Sequence, residues 1–98
     1  MKVANKKNDG LYKAVLQLKT MKECRNFFED LCSIKELQDL SGRMEVAMLL
    51  SENLSYAEVS KRTGASTATI CRVNKCLQYG SDGYKTVIAR LKSGEEQS

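Results

Sequence analysis

Three serine or threonine residues that precede stretches with helical apolar spacing are each followed, three positions later, by a glutamate. The pairs are Thr20 with Glu23, Ser33 with Glu36, and Ser55 with Glu58. This spacing is the capping box, in which the two side chains satisfy backbone donors left without partners at a helix start. Proline is absent from the chain, so no pyrrolidine ring interrupts a helix. The pattern predicts a chain built from helices that begin at defined residues.

The spacing of apolar residues supports the same fold class. Stripes at three- and four-residue intervals run along the chain, for example Leu11, Ala14, Val15 and Leu18. No stretch alternates apolar and polar residues over the length of a strand, and the helix-breaking residues are Gly64 and the cluster 79–83. We therefore predict an all-α fold with six helices at 10–19, 21–31, 34–51, 56–63, 67–78 and 82–92.

Composition excludes several function classes. Histidine is absent from the 98 residues, which removes serine–histidine and cysteine–histidine couples and imidazole metal ligands. The four cysteines, Cys24, Cys32, Cys71 and Cys76, show no C-x2-C spacing. No secretory signal or membrane-spanning apolar run is present. We expect a reduced cytoplasmic protein that is not an enzyme, binds no metal or cofactor, and has no membrane contact.

The net charge of +4 is unevenly distributed. Residues 1–22 contain six lysines and one acid, residues 23–54 contain three basic and seven acidic groups, and residues 55–92 contain seven basic and two acidic groups. A short chain also buries only about two-thirds of its unfolded surface, and oligomerisation is a common remedy for so small a core. The charge pattern therefore places two basic segments on either side of an acidic one, and the small size of the chain favours self-association.

Residues 54–77 carry the most informative pattern. Ser55 and Glu58 cap a short helix that stops at Gly64, and Ser66 is placed to cap the next helix. Two helices joined by a short turn containing glycine form a helix-turn-helix. Helical bundles also use such turns without touching DNA, but the local excess of basic residues favours DNA binding.

The residue types on the second helix suit the major groove. Small or hydroxyl-bearing side chains at its start would contact base edges, and nearby cations would contact phosphates. The predicted DNA-binding residues are Lys61, Arg62, Ser66, Thr67, Ala68, Thr69, Cys71, Arg72 and Lys75. The lysines near the N-terminus are a weaker signal: they are typical of a solvated, mobile chain end, and the alternative is an arm that contacts phosphates.

The run Ser55-x-x-Glu58-Val59 followed by Gly64-Ala65-x-x-Ala68-Thr69-Ile70-x-Arg72 resembles the helix-turn-helix of the bacterial tryptophan repressors. The likeness is closest to the shorter YerC/YecD-type Trp-repressor-like proteins and covers about residues 11–92, including IKELQDL and LQYGSDGYK. It implies an intertwined homodimer whose two helix-turn-helix units face successive major grooves. It also implies that Thr67 and Ala68 lie at base edges, with Cys71 one turn further along.

The resemblance implies one domain over residues 1–98. Residues 11–51 would supply the dimer core, 55–78 the DNA-reading segment and 82–92 a helix that closes over the partner, with flexible ends at 1–9 and 93–98. The expected function is a sequence-specific transcriptional regulator, acting as a repressor on a near-palindromic operator. The alternative is a protein-interaction module that kept this scaffold without a DNA role.

An effector pocket, if the family's is retained, would involve Arg43, Arg72, Val73 and Cys76. Arg72 matches an arginine that stacks on bound indole in the tryptophan repressor, but Val73 stands where that family has a glycine, and Cys76 where it has a serine. Arg43 aligns with the second ligand arginine only across a one-residue gap. Because a valine would crowd an indole-sized site, we expect that tryptophan is not the corepressor. Plain core packing is the simpler reading of Val73.

Overall fold

The computed structural model describes the backbone of residues 6–97 and the side chains of residues 6–94. Within this range the chain is all-helical. A short 3-10 turn at Lys6–Asn8 precedes α1 (Asp9–Val15), α2 (Met21–Leu31), α3 (Ile34–Ser51), α4 (Tyr56–Thr63), α5 (Thr67–Tyr79) and α6 (Gly83–Gln97). The fold class and the six helices predicted from the sequence are confirmed. No helix in the described part is long and apolar enough to cross a membrane.

Two helices differ in length from the prediction by more than one residue. α1 ends at Val15, four residues before the predicted end, although Leu16, Gln17 and Leu18 all favour helix. After Val15 the backbone tightens, since the N–H groups of Gln17 and Leu18 donate to carbonyls three residues back at 3.1 Å, and Thr20 is extended (φ −131°, ψ 160°) where it caps α2. At the other end, α6 continues to Gln97 instead of ending at 92, since the glycine at 94 costs a helix only about 1 kcal/mol.

The three capping boxes form to different extents. At each start the hydroxyl oxygen accepts from the backbone N–H of the glutamate, at 3.1 Å for Thr20, 3.1 Å for Ser33 and 3.2 Å for Ser55. Only the box of Ser33 is fully reciprocal, since the Ser33 N–H donates to Glu36 Oε1 at 2.9 Å. The Glu23 carboxylate instead accepts from the N–H of Lys19 at 2.9 Å.

The complete box lowers the pKa of Glu36. The cause is hydrogen bonding to the carboxylate from Ser33, first from its backbone N–H and then from its side chain. Because the folded-state pKa lies below the unfolded value, this contribution to stability is present above the unfolded pKa. It is lost as the pH falls through the folded pKa.

The chain divides into an N-terminal unit, Met1–Asp39, and a C-terminal unit, Leu40–Ser98, with the boundary inside α3. The core lies in the C-terminal unit and is formed by seven buried side chains: Val46, Ala47, Val59, Ile70, Val73, Leu77 and Ile88. These come from α3, α4, α5 and α6, so each helix of the C-terminal unit contributes at least one. This shared core is what fixes the position of α5.

The N-terminal unit has a different character. None of its described residues is buried, although α2 is strongly amphipathic and carries Phe27 and Phe28, which lie edge to face with ring centroids 5.5 Å apart. Leu16 is 79% exposed, Met21 72% and Ile34 80%. Helices with an apolar face ordinarily bury it, so this unit presents apolar surface that the chain itself leaves in solvent.

Candidate nucleic-acid interface

The pair α4 and α5 is held together by three fully buried side chains. Val59 of α4 packs in the same cluster as Ile70 and Val73 of α5, and none of the three is more than 1% exposed. Between the helices the chain turns through Gly64, Ala65 and Ser66. Gly64 has φ 75° and ψ 3°, a left-handed conformation that costs a residue with a Cβ roughly 1–2 kcal/mol. The predicted helix-turn-helix geometry is therefore present, with both helix starts where the sequence placed them.

Two hydroxyl groups that sequence reasoning did not assign hold this turn. Ser60 Oγ donates to the carbonyl of Ala65 at 3.0 Å. Thr63 Oγ1 donates to the carbonyl of Val59 at 2.8 Å and accepts from the N–H of Ala65 at 3.1 Å. The sequence signal that could have identified them is the presence of two hydroxyl residues, Ser60 and Thr63, near the end of a helix that stops at a glycine. Such side chains commonly hydrogen-bond to nearby backbone groups.

The start of α5 presents small side chains to solvent. Ser66, Thr67 and Ala68 are exposed, while Thr69 and Cys71 are half-buried. Ser66 caps the helix through its Oγ, which accepts from the N–H of Thr69 at 3.2 Å. Residues of an α-helix are spaced by about 100° around its axis, so Ala68 lies on the side opposite the buried Ile70 and Val73. The exposed end of α5 is thus narrow and free of bulky groups.

Exposed cations lie on α4 and further along α5. Lys61 of α4 and Arg72 and Lys75 of α5 are exposed, and within the described chain their charged groups make no hydrogen bond or ion pair. Arg62 differs, because its Nε donates to Glu58 Oε1 at 2.9 Å in an exposed i,i+4 pair. An exposed pair of this kind contributes about 0.3–0.5 kcal/mol, so Arg62 can exchange Glu58 for a phosphate at little cost.

The four residues considered for an effector pocket have different environments. Val73 is 1% exposed and belongs to the core of the C-terminal unit. Arg72 is exposed, whereas Arg43 and Cys76 are half-buried. Because Val73 follows Arg72 on the same helix, one side chain is directed to solvent and the other to the core.

The part of the chain that the structure describes contains no candidate metal site. No group of three or more His, Cys, Asp or Glu side chains lies close enough to hold a metal ion there. All four cysteines are free and half-buried. The chemical groups exposed on α4 and α5 include hydroxyls, methyl groups and cations. Cations bind phosphates, and hydroxyl and methyl groups can contact base edges.

Comparison with known proteins places the chain in a family. The family model described as Trp repressor protein matches residues 6–92. YerC of Bacillus subtilis (strain 168), a relative of uncharacterised function, is 46% identical over 97 residues, which is 99% of this chain and 93% of YerC.

Two solved structures share the fold. One is a Staphylococcus aureus protein described as a candidate Trp repressor, with a TM-score of 0.85 and 40% identity over 91% of this chain and 89% of that one. The other is a TrpR-like protein from Eubacterium eligens ATCC 27750, with a TM-score of 0.84 and 48% identity over 90% of this chain and 91% of that one. The resemblance inferred from the helix-turn-helix residues is thereby confirmed, and the chain belongs to the Trp repressor protein family.

Proposed function

We propose that this chain is a homodimeric transcriptional repressor of the bacterial cytoplasm that binds a near-palindromic DNA operator through α4 and α5. The observation that carries the proposal is the exposed start of α5, where the small side chains of Ser66, Thr67 and Ala68 reach solvent, together with exposed cations on the same two helices. The family supports a helix-turn-helix regulator. Repression needs nothing beyond occupancy, because a dimer bound over a promoter blocks it sterically.

The geometry of α5 suits entry into the major groove. The groove is about 12 Å wide and admits one helix, and the end that enters must carry side chains short enough to let the backbone approach the bases. Thr67 and Ala68 meet that need. Lys61, Arg72 and Lys75 would contact the phosphates on either side, which positions the helix without reading sequence.

The N-terminal unit supports the homodimer. Its described residues include none that is buried, yet α2 and the start of α3 carry Phe27, Phe28, Leu31, Ile34 and Leu37. A second copy offers the same apolar faces in a two-fold arrangement, in which each covers the other. Two helix-turn-helix units related in this way would meet half-sites about 34 Å apart, one turn of the duplex.

Replacing Arg72 by alanine should weaken binding to all DNA sequences alike. Loss of one phosphate contact per protomer, and so of two per dimer, should reduce the slope of log affinity against log salt by about two. The measurement is retention on immobilised mixed genomic DNA across a salt series. The matched control is Lys35→Ala, since Lys35 is exposed and already pairs with Asp39 at 3.1 Å.

The same series separates DNA binding from the alternative of a protein-interaction module. Unmodified protein that fails to bind DNA at low salt, or binds without salt dependence, would favour the alternative. The acidic segment 23–54 is the feature that such a module would use.

Tryptophan should not bind this protein with affinity in the micromolar range. The side chain of Val73 is buried and adds three carbons where the tryptophan repressor has a glycine, and overpacking of this kind costs about 1–3 kcal/mol. Isothermal titration of L-tryptophan into the protein, with and without operator DNA, is expected to give no binding heat. A dissociation constant in the micromolar range would contradict this part of the proposal.

A further inference from the structure

The hydroxyl groups at the start of α5 are not equally available for base contacts. Ser66 Oγ accepts from the N–H of Thr69 at 3.2 Å and donates to Thr69 Oγ1 at 3.1 Å. These two hydroxyls therefore stabilise the helix start and each other. The exposed side chains that remain at the first turn are those of Thr67 and Ala68.

What these two residues offer to a base is mostly methyl surface. Alanine has a methyl group only, and threonine has a methyl beside its hydroxyl. The bidentate contacts that identify guanine or adenine need Arg, Lys, Asn or Gln, and residues 65–71 contain none of these. The first such residue, Arg72, comes one helical turn after Ala68.

In the major groove the group that complements a methyl surface is the C5-methyl of thymine. Because Thr67 and Ala68 are short, the helix backbone can approach until the methyl groups are in van der Waals contact. An α5 that carried long donors at its start would be held further from the bases.

We propose that the start of α5 recognises thymine through its C5-methyl group, with Thr67 and Ala68 forming the contact surface. Bidentate hydrogen bonds to guanine or adenine play no part at this turn. The inference rests on the proposed DNA-binding function. It narrows the operator to half-sites that place thymine under the first turn of α5.

The test replaces thymine by deoxyuridine, which removes only the methyl group and leaves base pairing intact. The probe is a fragment recovered by selection from genomic DNA, substituted at one thymine at a time. Substitution at the contacted thymine should weaken binding about fourfold in one half-site and about 15-fold in both, the effect expected for one lost methyl contact per half-site. Substitution outside the half-sites should have no effect.

A protein variant assigns the contact to a residue. Thr67→Ser keeps the hydroxyl and removes the methyl in both protomers, so the dimer should bind the thymine fragment about 15-fold more weakly and lose part of its sensitivity to deoxyuridine. Thr86→Ser, at an exposed position of α6, is the matched control and should behave as the unmodified protein. Tight, equal binding of thymine and deoxyuridine fragments would overturn methyl recognition while leaving the DNA-binding function intact. Failure to bind any genomic fragment would overturn both.

Discussion

Replacing Ala68 by glutamate is expected to abolish specific DNA binding. Ala68 is exposed at the first turn of α5, on the side opposite the buried Ile70 and Val73. In the proposed complex this position faces the major groove, so a carboxylate there would meet phosphates and base acceptors of the same sign. Like charges brought together at an interface cost several kcal/mol, and about 3 kcal/mol already weakens binding more than a hundredfold.

The measurement is a gel-shift titration with a selected genomic fragment. The control is Ser81→Glu, which adds the same carboxylate at an exposed position between α5 and α6 and changes the net charge equally. Its binding should fall no more than a few fold, through the long-range charge alone. Since both positions are exposed, both variants should keep the helical circular dichroism of the parent. Equal affinity of the Ala68→Glu variant and the parent would remove the basis for placing α5 in the groove.

Diluting the protein a hundredfold is expected to lower its apparent free energy of unfolding by about 2.7 kcal/mol per dimer, which is RT ln 100. The reason is that the N-terminal unit has no buried residue among those described, so its apolar faces gain their burial from a second copy. Urea unfolding at several protein concentrations, with sedimentation at the same concentrations, measures the effect. A midpoint that does not move with concentration would contradict the dimer.

A substitution can assign this stability to the N-terminal unit. Phe28→Ala should lower the free energy of unfolding by about 3 kcal/mol per protomer if a partner covers the ring, the usual cost of emptying a buried phenylalanine site. Tyr79→Ala is the control, because Tyr79 is 88% exposed at the end of α5 and lies outside the proposed interface. Its effect should stay within about 0.5 kcal/mol.

The sequence predicted the helix-turn-helix closely because its signals there are local. Ser55, Gly64 and Ser66 each act on the backbone within a few residues, so their positions alone placed the ends of α4 and the start of α5. α1 was predicted too long because residues 16–18 favour helix. After Val15 the N–H groups of Gln17 and Leu18 bond to carbonyls three residues back, ahead of the extended Thr20, and helix propensity does not register this change.

The core of the C-terminal unit was less predictable. Val46 is fully buried, but α3 carries apolar residues on much of its circumference near its end, so spacing alone does not select Val46 for the core. Which of them faces α4, α5 and α6 depends on packing between distant segments. The roles of Ser60 and Thr63 in the turn were missed for a similar reason, since their partners are backbone atoms that the sequence does not position.

The central claim is that the exposed end of α5 reads specific DNA as part of a dimer. Selection of sheared genomic fragments on the purified protein, followed by sequencing of the bound pool, tests it most directly. We expect a small set of enriched fragments that share inverted half-sites about one helical turn apart, each bound by two protomers with an affinity that falls steeply with salt. A bound pool that matches the input library in sequence would contradict the claim.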